Sequence, residues 1–315
     1  MAVANGPRTR LVIGTRASKL AVWQAEWIQA RLKDIAPELL VTVQQISTSG
    51  DKIQDVPLAA IGGKGLFVKE IEEALIRGDV DIAVHSMKDV PTMLPEPLEI
   101  LCVPVREDAR DVLISRGSQP LDQLASHARI GTSSLRRQAQ LLHYRPDFTI
   151  EMLRGNLDTR LRKLREGHYE AVVLAAAGLR RMGWSQEVTE YLPIEISLPA
   201  IGQGALGLEG RRDDGFVRNL LIQLEHPPTR TAVTAERALL KRLEGGCQVP
   251  IAGHATMKGD TVMLEGLVAS LDGQQVIRDV AQGRSSEAAG LGEQLGEILL
   301  RRGGDAILRE IYGTA

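Results

Sequence analysis

The chain is poor in cysteine and in long apolar segments. It has 315 residues and two cysteines, too few for a disulfide framework or a multi-thiolate metal site. Its longest apolar run, residues 171–179, is far shorter than the roughly 20 residues needed to cross a bilayer. Residues 1–10 contain no apolar stretch after a basic start, so no signal peptide is expected. These features predict a cytoplasmic protein with no membrane partner.

Charge is nearly balanced over the whole chain but unevenly distributed along it. The net charge is −2, which argues against nucleic acid as a partner. Residues 129–181 nevertheless hold eleven Lys or Arg against five Asp or Glu. A basic region in a slightly acidic chain favours a small polyanionic ligand over a polymer. The six histidines lack metal-ligand spacing, so no metal site is expected.

Apolar runs alternate with helical patterns from the start of the chain, which is typical of crossover units around a largely parallel sheet. Ser18 is placed to cap the first helix and Pro37 to end it. Further helices are predicted at 67–76, 134–143 and 156–166, and strands at 10–15, 39–46, 80–84, 111–115, 128–131, 148–152 and 171–174. After Pro227 the pattern changes to a helix at 231–243, antiparallel strands at 251–257, 262–270 and 275–280, and a helical stretch at 287–311.

Cys247 lies in the run Glu-Gly-Gly-Cys-Gln-Val-Pro, directly after a predicted helix. Glycine adopts backbone angles that other residues avoid, so Gly245 and Gly246 can present the sulfur without crowding it. Pro250 prevents regular structure from resuming at once. A thiol displayed in this way suits covalent attachment of a group. The alternative, on this segment alone, is a buried cysteine in a glycine-rich turn.

Two strand-to-helix turns carry arginine where an anion can bind. Residues 131–134 lead into a helix whose first turn contains Arg136 and Arg137. Basic side chains at this end oppose the helix dipole, so the amides and hydroxyls of the turn predict an anion pocket. Arg154 precedes the next such helix, and Arg160 lies one turn inside it. The alternative is a capped helix with a solvated basic face.

Five motifs occur in order along the chain and together resemble the porphobilinogen deaminase (hydroxymethylbilane synthase) family. They are residues 62–70, 85–91, 131–137, 153–156 and 244–250, and the resemblance runs from Arg10 to about Tyr312. It implies a transferase of porphyrin, heme and other tetrapyrrole biosynthesis. Such an enzyme condenses four porphobilinogen molecules head to tail, with loss of ammonia, into hydroxymethylbilane. The resemblance also implies a dipyrromethane cofactor bound covalently to Cys247.

The same resemblance implies a fold and domain boundaries. The fold class is α/β, with two similar periplasmic-binding-protein-like lobes of mostly parallel sheets and a small α+β C-terminal domain. Domain 1 would comprise residues 8–104 with 205–225, domain 2 residues 105–204, and the cofactor-attachment domain residues 226–315. The sequence pattern alone does not reveal the return of 205–225 to the first lobe. The family also implies a monomer.

By resemblance, the catalytic cleft is lined by cations. They suit the acetate and propionate groups of the pyrroles, because guanidinium forms paired, charge-assisted bonds with carboxylate. The residues implied at the cofactor, besides Cys247, are Lys88, Ser134, Arg136, Arg137, Arg154 and Arg160. Those implied at the substrate are Arg16, Ser18, Lys64 and Arg181.

Asp89 is the catalytic residue that the resemblance implies. It follows a predicted buried strand, beside Lys88 and before Val90-Pro91. One carboxylate near the pyrrole nitrogens can stabilise the positive charge left by loss of ammonia and also shuttle a proton. An aspartate in a turn before proline is otherwise common, so the assignment depends on the surrounding motif.

Two positions depart from the family pattern. Many relatives have lysine at Ala60 and many bacterial ones have arginine at Ser49. Both positions lie near the loop that covers the cleft in the family, so weaker contacts from this loop to the growing chain are expected.

Two α/β lobes with anion pockets also describe a non-catalytic solute-binding or effector-sensing protein. A thiol redox module would need a Cys-x-x-Cys motif, which the sequence lacks.

Overall fold

The computed structural model describes residues 8–52, 65–244 and 249–313, which form two α/β lobes and a smaller α+β domain. Lys64, Cys247 and Ala60 lie outside the described residues. None of the helices in these ranges is long and apolar enough to span a membrane.

The bounds of the regular elements follow in chain order. The strands are β1 Arg10–Arg16, β2 Leu40–Ile46, β3 Ile82–Ser86, β4 Leu98–Cys102, β5 Asp111–Ser115, β6 Arg129–Gly131, β7 Thr149–Glu151, β8 Ala171–Ala175, β9 Glu190–Tyr191, β10 Leu206–Arg211, β11 Ile251–Lys258, β12 Thr261–Ala269 and β13 Val276–Arg284. The helices are α1 Lys19–Ile35, α2 Ser49–Lys52, α3 Lys69–Arg77, α4 Leu135–Tyr144, α5 Leu157–Arg165, α6 Ala176–Arg181, α7 Gly215–Leu221, α8 Pro227–Arg242, α9 Ala288–Leu299 and α10 Asp305–Gly313.

The first lobe is built on a five-stranded sheet with the order β2-β1-β3-β10-β4. β1 pairs in parallel with β2 and β3, whereas β10 runs antiparallel between β3 and β4. Four of its five strands therefore point the same way, as the mostly parallel sheet of the prediction requires. Helix α1 buries Ile28 and Leu32 in the core of this lobe. The predicted cap is confirmed, because the Ser18 side chain accepts a hydrogen bond from the Ala21 amide at 3.3 Å.

The second sheet repeats this arrangement with the order β7-β6-β8-β5-β9. β6 pairs in parallel with β7 and β8, and β5 runs antiparallel to β8 and β9. In each sheet the antiparallel strand is the first one after the chain crosses from the other lobe. The chain crosses between the lobes twice. The first strand after each crossing, β5 in the second lobe and β10 in the first, becomes an inner strand of its sheet.

The two crossing segments, residues 103–110 and 198–205, lie side by side. The Glu107 amide donates to Gly204 O at 3.1 Å, and Gln203 Nε2 donates to Ala109 O at 2.6 Å. Gly204 has a φ of +85°, and a Cβ there would lie 2.4 Å from Glu107 O. The close approach of the two segments therefore requires glycine at this position.

The C-terminal domain is an antiparallel meander of β11, β12 and β13 covered by α8 and α9. Leu239 of α8, Leu264 of β12 and Leu295 of α9 are fully buried in one apolar cluster. This domain therefore has a hydrophobic core of its own, which is the usual mark of a separate unit.

Two helix boundaries differ from the prediction. Helix α8 begins at Pro227 instead of residue 231, because prolines fit a first turn in which no amide hydrogen is needed. His226 caps this helix, its Nδ1 accepting from the Thr229 amide at 3.3 Å. The helix predicted over 287–311 is divided by a π-helical turn at Leu300–Gly304, where Gly303 has a φ of +110°. Local backbone geometry at proline and glycine accounts for both differences.

Candidate active site

A cleft of about 280 Å³ lies between the two lobes. The first lobe contributes residues that follow β1 and β3, and the second lobe contributes residues that follow β7 and β8. These are the carboxyl ends of the parallel strands, where open α/β sheets bind their ligands. The cleft is therefore the candidate functional site.

The cleft is electropositive. Six basic side chains and two carboxylates line its described part: Arg16, Lys19, Lys88, Arg137, Arg154 and Arg160, with Asp89 and Asp158. Charges in a site partly screened from water attract more strongly than in bulk solvent. The cleft is suited to a ligand that carries several negative charges.

On the first lobe, Arg16 ends β1 and Ser18 precedes α1. The Arg16 guanidinium stacks over the Phe67 ring, 4.2 Å from its centroid, which favours one plane for the charged group. Ser18 lines the cleft while its side chain caps α1. Both side chains are thus held in place before any ligand arrives.

Lys88 and Asp89 belong to one 3-10 turn, Met87–Asp89, which directly follows β3. Met87 is 2% exposed and anchors the turn in the core, so the two charged residues lie at the cleft wall. Burial lowers the pKa of Lys88 to about 8, and the negative charge of Asp89 opposes this shift. An anion bound beside Lys88 would favour its charged form.

Arg154 reaches the cleft from the turn that joins β7 to α5, and Arg160 reaches it from the first half of α5. Gly155 has a φ of +111°, and a Cβ there would lie 2.7 Å from the Thr159 side chain, so the turn requires glycine. Arg160 Nε donates to Gly155 O at 2.8 Å. Burial, followed by the charges of Arg137 and Arg154, lowers the pKa of Arg160 to about 10. Within the described residues the Arg160 guanidinium forms no ion pair, so a ligand carboxylate can supply its counterion.

Arg136 and Arg137 share one buried counterion, Asp111 at the start of β5. Arg136 Nη1 lies 2.8 Å from Asp111 Oδ2, and Arg137 Nη2 lies 2.7 Å from Asp111 Oδ1. Burial alone would raise the pKa of Asp111, but the two guanidinium charges hold it well below its usual range. Ser197 and Gln203 also donate to this carboxylate, at 2.8 and 2.9 Å. The sequence pattern predicted a bound anion beside Arg136 and Arg137. In the structure both guanidinium groups are paired with a protein carboxylate, that of Asp111.

The predicted site residues fall into three groups. Around the cleft lie Arg16, Ser18, Lys88, Asp89, Arg137, Arg154 and Arg160. Ser134, Arg136 and Arg181 are not among the described residues that line it. Lys64 and Cys247 lie outside the described residues.

The second group is held by contacts away from the cleft lining. Ser134 caps α4, its hydroxyl accepting from the Arg137 amide at 3.4 Å. Arg136 Nη1 also donates to Leu198 O at 2.6 Å. Arg181 Nη2 donates to Gly204 O at 2.7 Å, and burial lowers the pKa of Arg181 to about 10. The roles of these three residues toward a ligand stay predictions.

Two features of the site were missed by the sequence analysis. Lys19 Nζ lies 3.0 Å from Asp158 Oδ2, which joins the first turn of α1 to that of α5 on the opposite lobe. No local pattern identifies this pair, because its members lie on different lobes. Asp111 was also missed, although an acidic residue that opens an otherwise apolar strand is a usable signal, since a buried carboxylate needs partners.

The arrangement can bind a polyanionic ligand and stabilise positive charge at one carboxylate, Asp89. Within the described ranges, no group of three His, Cys, Asp or Glu side chains is placed to hold a metal ion. The residues around the cleft can form ion pairs and hydrogen bonds and can transfer protons.

Comparison with solved structures gives distant likenesses. The alkanesulfonate-binding protein SsuA from Xanthomonas axonopodis pv. citri, bound to MOPS, is 15% identical, with a TM-score of 0.39 and 76% of each chain covered. The periplasmic aliphatic sulphonate binding protein SsuA from Escherichia coli is 13% identical, with a TM-score of 0.40 and 76% of this chain and 71% of that chain covered.

Sequence comparison gives much nearer relatives. The chain is 55% identical over 306 residues to the porphobilinogen deaminase of Pelobacter propionicus, which covers 97% of this chain and 98% of the relative. It is 56% identical over 303 residues to the porphobilinogen deaminase of Geobacter metallireducens, which covers 96% of this chain and 95% of the relative.

Two family models account for most of the chain. The model described as "Porphobilinogen deaminase, dipyromethane cofactor binding domain" matches residues 11–219. The model described as "Porphobilinogen deaminase, C-terminal domain" matches residues 230–301. With these matches and the near full-length relatives, the chain belongs to the porphobilinogen deaminase family.

Proposed function

We propose that the chain condenses four porphobilinogen molecules head to tail, with loss of ammonia at each step, to hydroxymethylbilane. Its family makes it a transferase of tetrapyrrole biosynthesis that acts on a small-molecule substrate. The observation that carries the proposal is the cleft, in which six basic side chains accompany two carboxylates. Each porphobilinogen brings two carboxylates of its own, so substrate and cleft are complementary in charge.

The alternative, a non-catalytic solute-binding or effector-sensing protein, would also have two lobes and a cationic cleft. It is not favoured, because relatives 55% and 56% identical over nearly the full chain are named porphobilinogen deaminase. A binding protein would also have no need of Asp89 at the cleft wall or of the cysteine at position 247.

The cleft residues fit the dipyrromethane cofactor named in the description of the first family model. Arg154 and Arg160 are half-buried, and burial lowers the pKa of both. The carboxylates of a dipyrromethane would complement these positive charges and form charge-assisted hydrogen bonds with the two guanidinium groups. When bound, the cofactor supplies the pyrrole carbon from which condensation starts. We expect Lys88 and Arg137 to join Arg154 and Arg160 in binding its carboxylates.

Ser134 and Arg136 are expected to support the cofactor site from behind. Ser134 caps the helix that carries Arg137, and Arg136 shares the Asp111 counterion with it. Arg137 Nη1 is also fixed by Val173 O at 2.9 Å. A side chain held by this many bonds keeps one orientation and loses little freedom when a carboxylate binds.

Asp89 is proposed as the catalytic carboxylate. Of the two carboxylates that line the described part of the cleft, Asp158 pairs with Lys19 at 3.0 Å, which leaves Asp89 for chemistry. Ammonia leaves with the electron pair of the broken carbon–nitrogen bond, so the substrate becomes cationic. Asp89 can stabilise that charge at the pyrrole nitrogen and accept the proton released after the new carbon–carbon bond forms.

We propose that the substrate carboxylates bind at Arg16 and Ser18. Arg16 is already oriented by the Phe67 ring, and Ser18 lies beside it at the start of α1. Contacts from Arg181 and from Lys64 are carried over from the family resemblance. A cytoplasmic monomer is proposed on the same basis.

Intact mass tests the proposed attachment at Cys247. The purified protein should exceed the mass of its chain by two linked pyrrole units, and Cys247→Ser should lose both this increment and bilane formation. The matched control is Cys102→Ser, because Cys102 is fully buried in β4 and burial raises the pKa of its thiol far above neutrality. Cys102→Ser should keep the increment. Wild-type protein of unmodified mass that still converts porphobilinogen would contradict the proposal.

A further inference from the structure

The catalytic segment, residues 85–91, is held at both ends by side chains from other elements. At its start, His85 Nε2 lies 2.8 Å from Glu209 Oε2 of β10, and both side chains are buried. At its end, Arg237 of α8 donates from Nη1 to Val90 O at 3.0 Å and from Nη2 to Pro91 O at 2.6 Å. Lys88 and Asp89 lie between these two anchors.

Arg237 makes a third contact with this segment, besides its hydrogen bonds to the carbonyls of residues 90 and 91. Its Nη1 also lies 3.8 Å from the Sδ of Met87, the residue that anchors the catalytic turn in the core. Burial lowers the pKa of Arg237, and the negative charge of Glu209 opposes this shift. Glu209, which pairs with His85 at the start of the segment, thus also attracts the positive charge of Arg237, which donates to residues 90 and 91 at its end.

We propose that Arg237 is a positioning residue for Asp89. Its planar guanidinium donates to two successive carbonyls, which fixes the backbone directly after Asp89, and a lysine cannot reproduce this geometry. Arg237 is not among the described residues that line the cleft, so it acts through the segment and not on the substrate. This inference rests on the proposed function, since it concerns the carboxylate assigned to the chemistry.

The position of Arg237 also connects two parts of the enzyme. It lies on α8 of the C-terminal domain, and the chain continues from the end of that helix toward Cys247 within a few residues. The domain proposed to carry the cofactor therefore also fixes the turn that carries the catalytic carboxylate.

Arg237→Gln tests the inference, with Arg230→Gln as its matched control. Arg230 lies two turns earlier on α8 and also ties the C-terminal domain to the first lobe, since its Nη1 donates to Ile100 O at 3.1 Å. It makes no hydrogen bond to residues 85–91 in the described part of the chain. We expect Arg237→Gln to lower kcat about 10²-fold, the loss typical of a misplaced catalytic group, with little change in KM. Arg230→Gln should keep a kcat near that of the wild type.

Two further measurements separate positioning from a general loss of structure. The intact mass of Arg237→Gln should still show the cofactor, and its thermal stability should match that of Arg230→Gln. Hydrogen exchange of the amides of residues 85–92 should be faster in Arg237→Gln and unchanged in Arg230→Gln. If Arg237→Gln does not fold, Arg237→Lys takes its place and should show the same direction in kcat and in exchange.

Equal kcat losses in the two variants, or an unchanged exchange rate over 85–92 in Arg237→Gln, would overturn the inference. Failure of the proposed function gives a different result, namely wild-type protein that does not convert porphobilinogen. The exchange comparison would still decide whether Arg237 fixes the segment.

Discussion

Three of the cations at the cleft have their orientations set by different neighbours. Arg16 stacks on Phe67, Arg137 is bonded to Asp111, and Arg160 donates to Gly155 O. Charged groups that are already oriented need little rearrangement when a ligand binds or when charge develops in a transition state. These guanidinium groups are therefore already oriented to bind carboxylates before a ligand is present.

Asp89 gives the sharpest prediction for a single residue. Asp89→Asn keeps the shape of the side chain but removes its negative charge, so bilane formation should fall by about 10²–10⁴-fold. Asp89→Glu keeps the charge but moves it by one methylene, and slow activity should remain. The measurement is bilane formation with a thermal melt of each variant.

The thermal melts serve as the control for Asp89. Its side chain lies at the cleft wall and is only half-buried, so the variants should melt close to the wild type. Near-normal turnover by a folded Asp89→Ala protein would remove Asp89 from the mechanism.

Residues of the site were predictable where they follow a strand. Lys88 and Asp89 follow the strand predicted at 80–84 and Arg154 follows the one predicted at 148–152, and the structure places all three around the cleft. The position of Arg136 was not predictable, because its counterion Asp111 lies in a distant strand and no local spacing links the two.

At the scale of elements, the strands with continuous apolar sequence were the easiest to predict. β5 was predicted at residues 111–115 and is observed at Asp111–Ser115. β10 was not predicted as a strand. Its sequence, Leu-Gly-Leu-Glu-Gly-Arg, contains two glycines and a buried acid, Glu209, which conceal the alternation that marks a strand.

Helix α3 buries a carboxylate, and this predicts how stability depends on pH. Glu72 is 8% exposed, and burial, followed by the charge of Glu209, raises its pKa from 4.5 to about 7, with His85 acting in the opposite direction. The folded protein therefore binds more protons than the unfolded chain between these two values. The free energy of unfolding should fall as pH rises from about 4.5 to 7, by at most about 3 kcal/mol.

Glu72→Gln has no carboxyl group to titrate, so its free energy of unfolding should not fall over this pH range. The variant should therefore be more stable than the wild type at pH 8 but not at pH 5. Urea unfolding at the two pH values measures the difference. Glu73→Gln is the matched control, because its side chain is 50% exposed and should leave the pH dependence unchanged. A Glu72→Gln protein with the same pH dependence as the wild type would show that another group is responsible.

At the scale of the whole molecule, one buried carboxylate joins the C-terminal domain to both segments that cross between the lobes. Glu236 of α8 lies 2.5 Å from Arg106 Nη1 in the first crossing and accepts from the Gly202 amide in the second at 2.6 Å. It also accepts from the Ala255 amide of β11 at 2.8 Å. Burial alone would raise the pKa of Glu236, but the charge of Arg106 lowers it to about 2.

Removal of this charge should weaken the whole assembly. Glu236→Gln leaves the buried guanidinium of Arg106 without its counterion, so the free energy of unfolding should fall by about 3–5 kcal/mol. Glu297→Gln, which removes a half-exposed partner of Arg242, should cost at most about 1 kcal/mol. Urea unfolding followed by tryptophan fluorescence compares the two, and equal losses would contradict the role given to Glu236.

The same experiment bears on the proposed domain boundaries. If residues 8–104 with 205–225, 105–204 and 226–315 are separate units, Glu236→Gln should unfold in more than one step. The two-lobed plan was implied by the family resemblance, whereas the alternation of strand and helix patterns predicted crossover units and the change of pattern after Pro227 indicated a further unit. The return of the chain to the first sheet did not follow from these patterns, because strand order is decided by tertiary pairing and not by local periodicity.

That return has a consequence for synthesis of the protein. The second sheet uses strands from residues 111–191, whereas the first sheet is incomplete until residues 206–211 exist. Because β10 lies between β3 and β4, those two strands have no partner across the gap until it arrives. Domains usually fold in the order in which they leave the ribosome. In this chain the amino-terminal lobe can close its sheet only after every strand of the second lobe has been made.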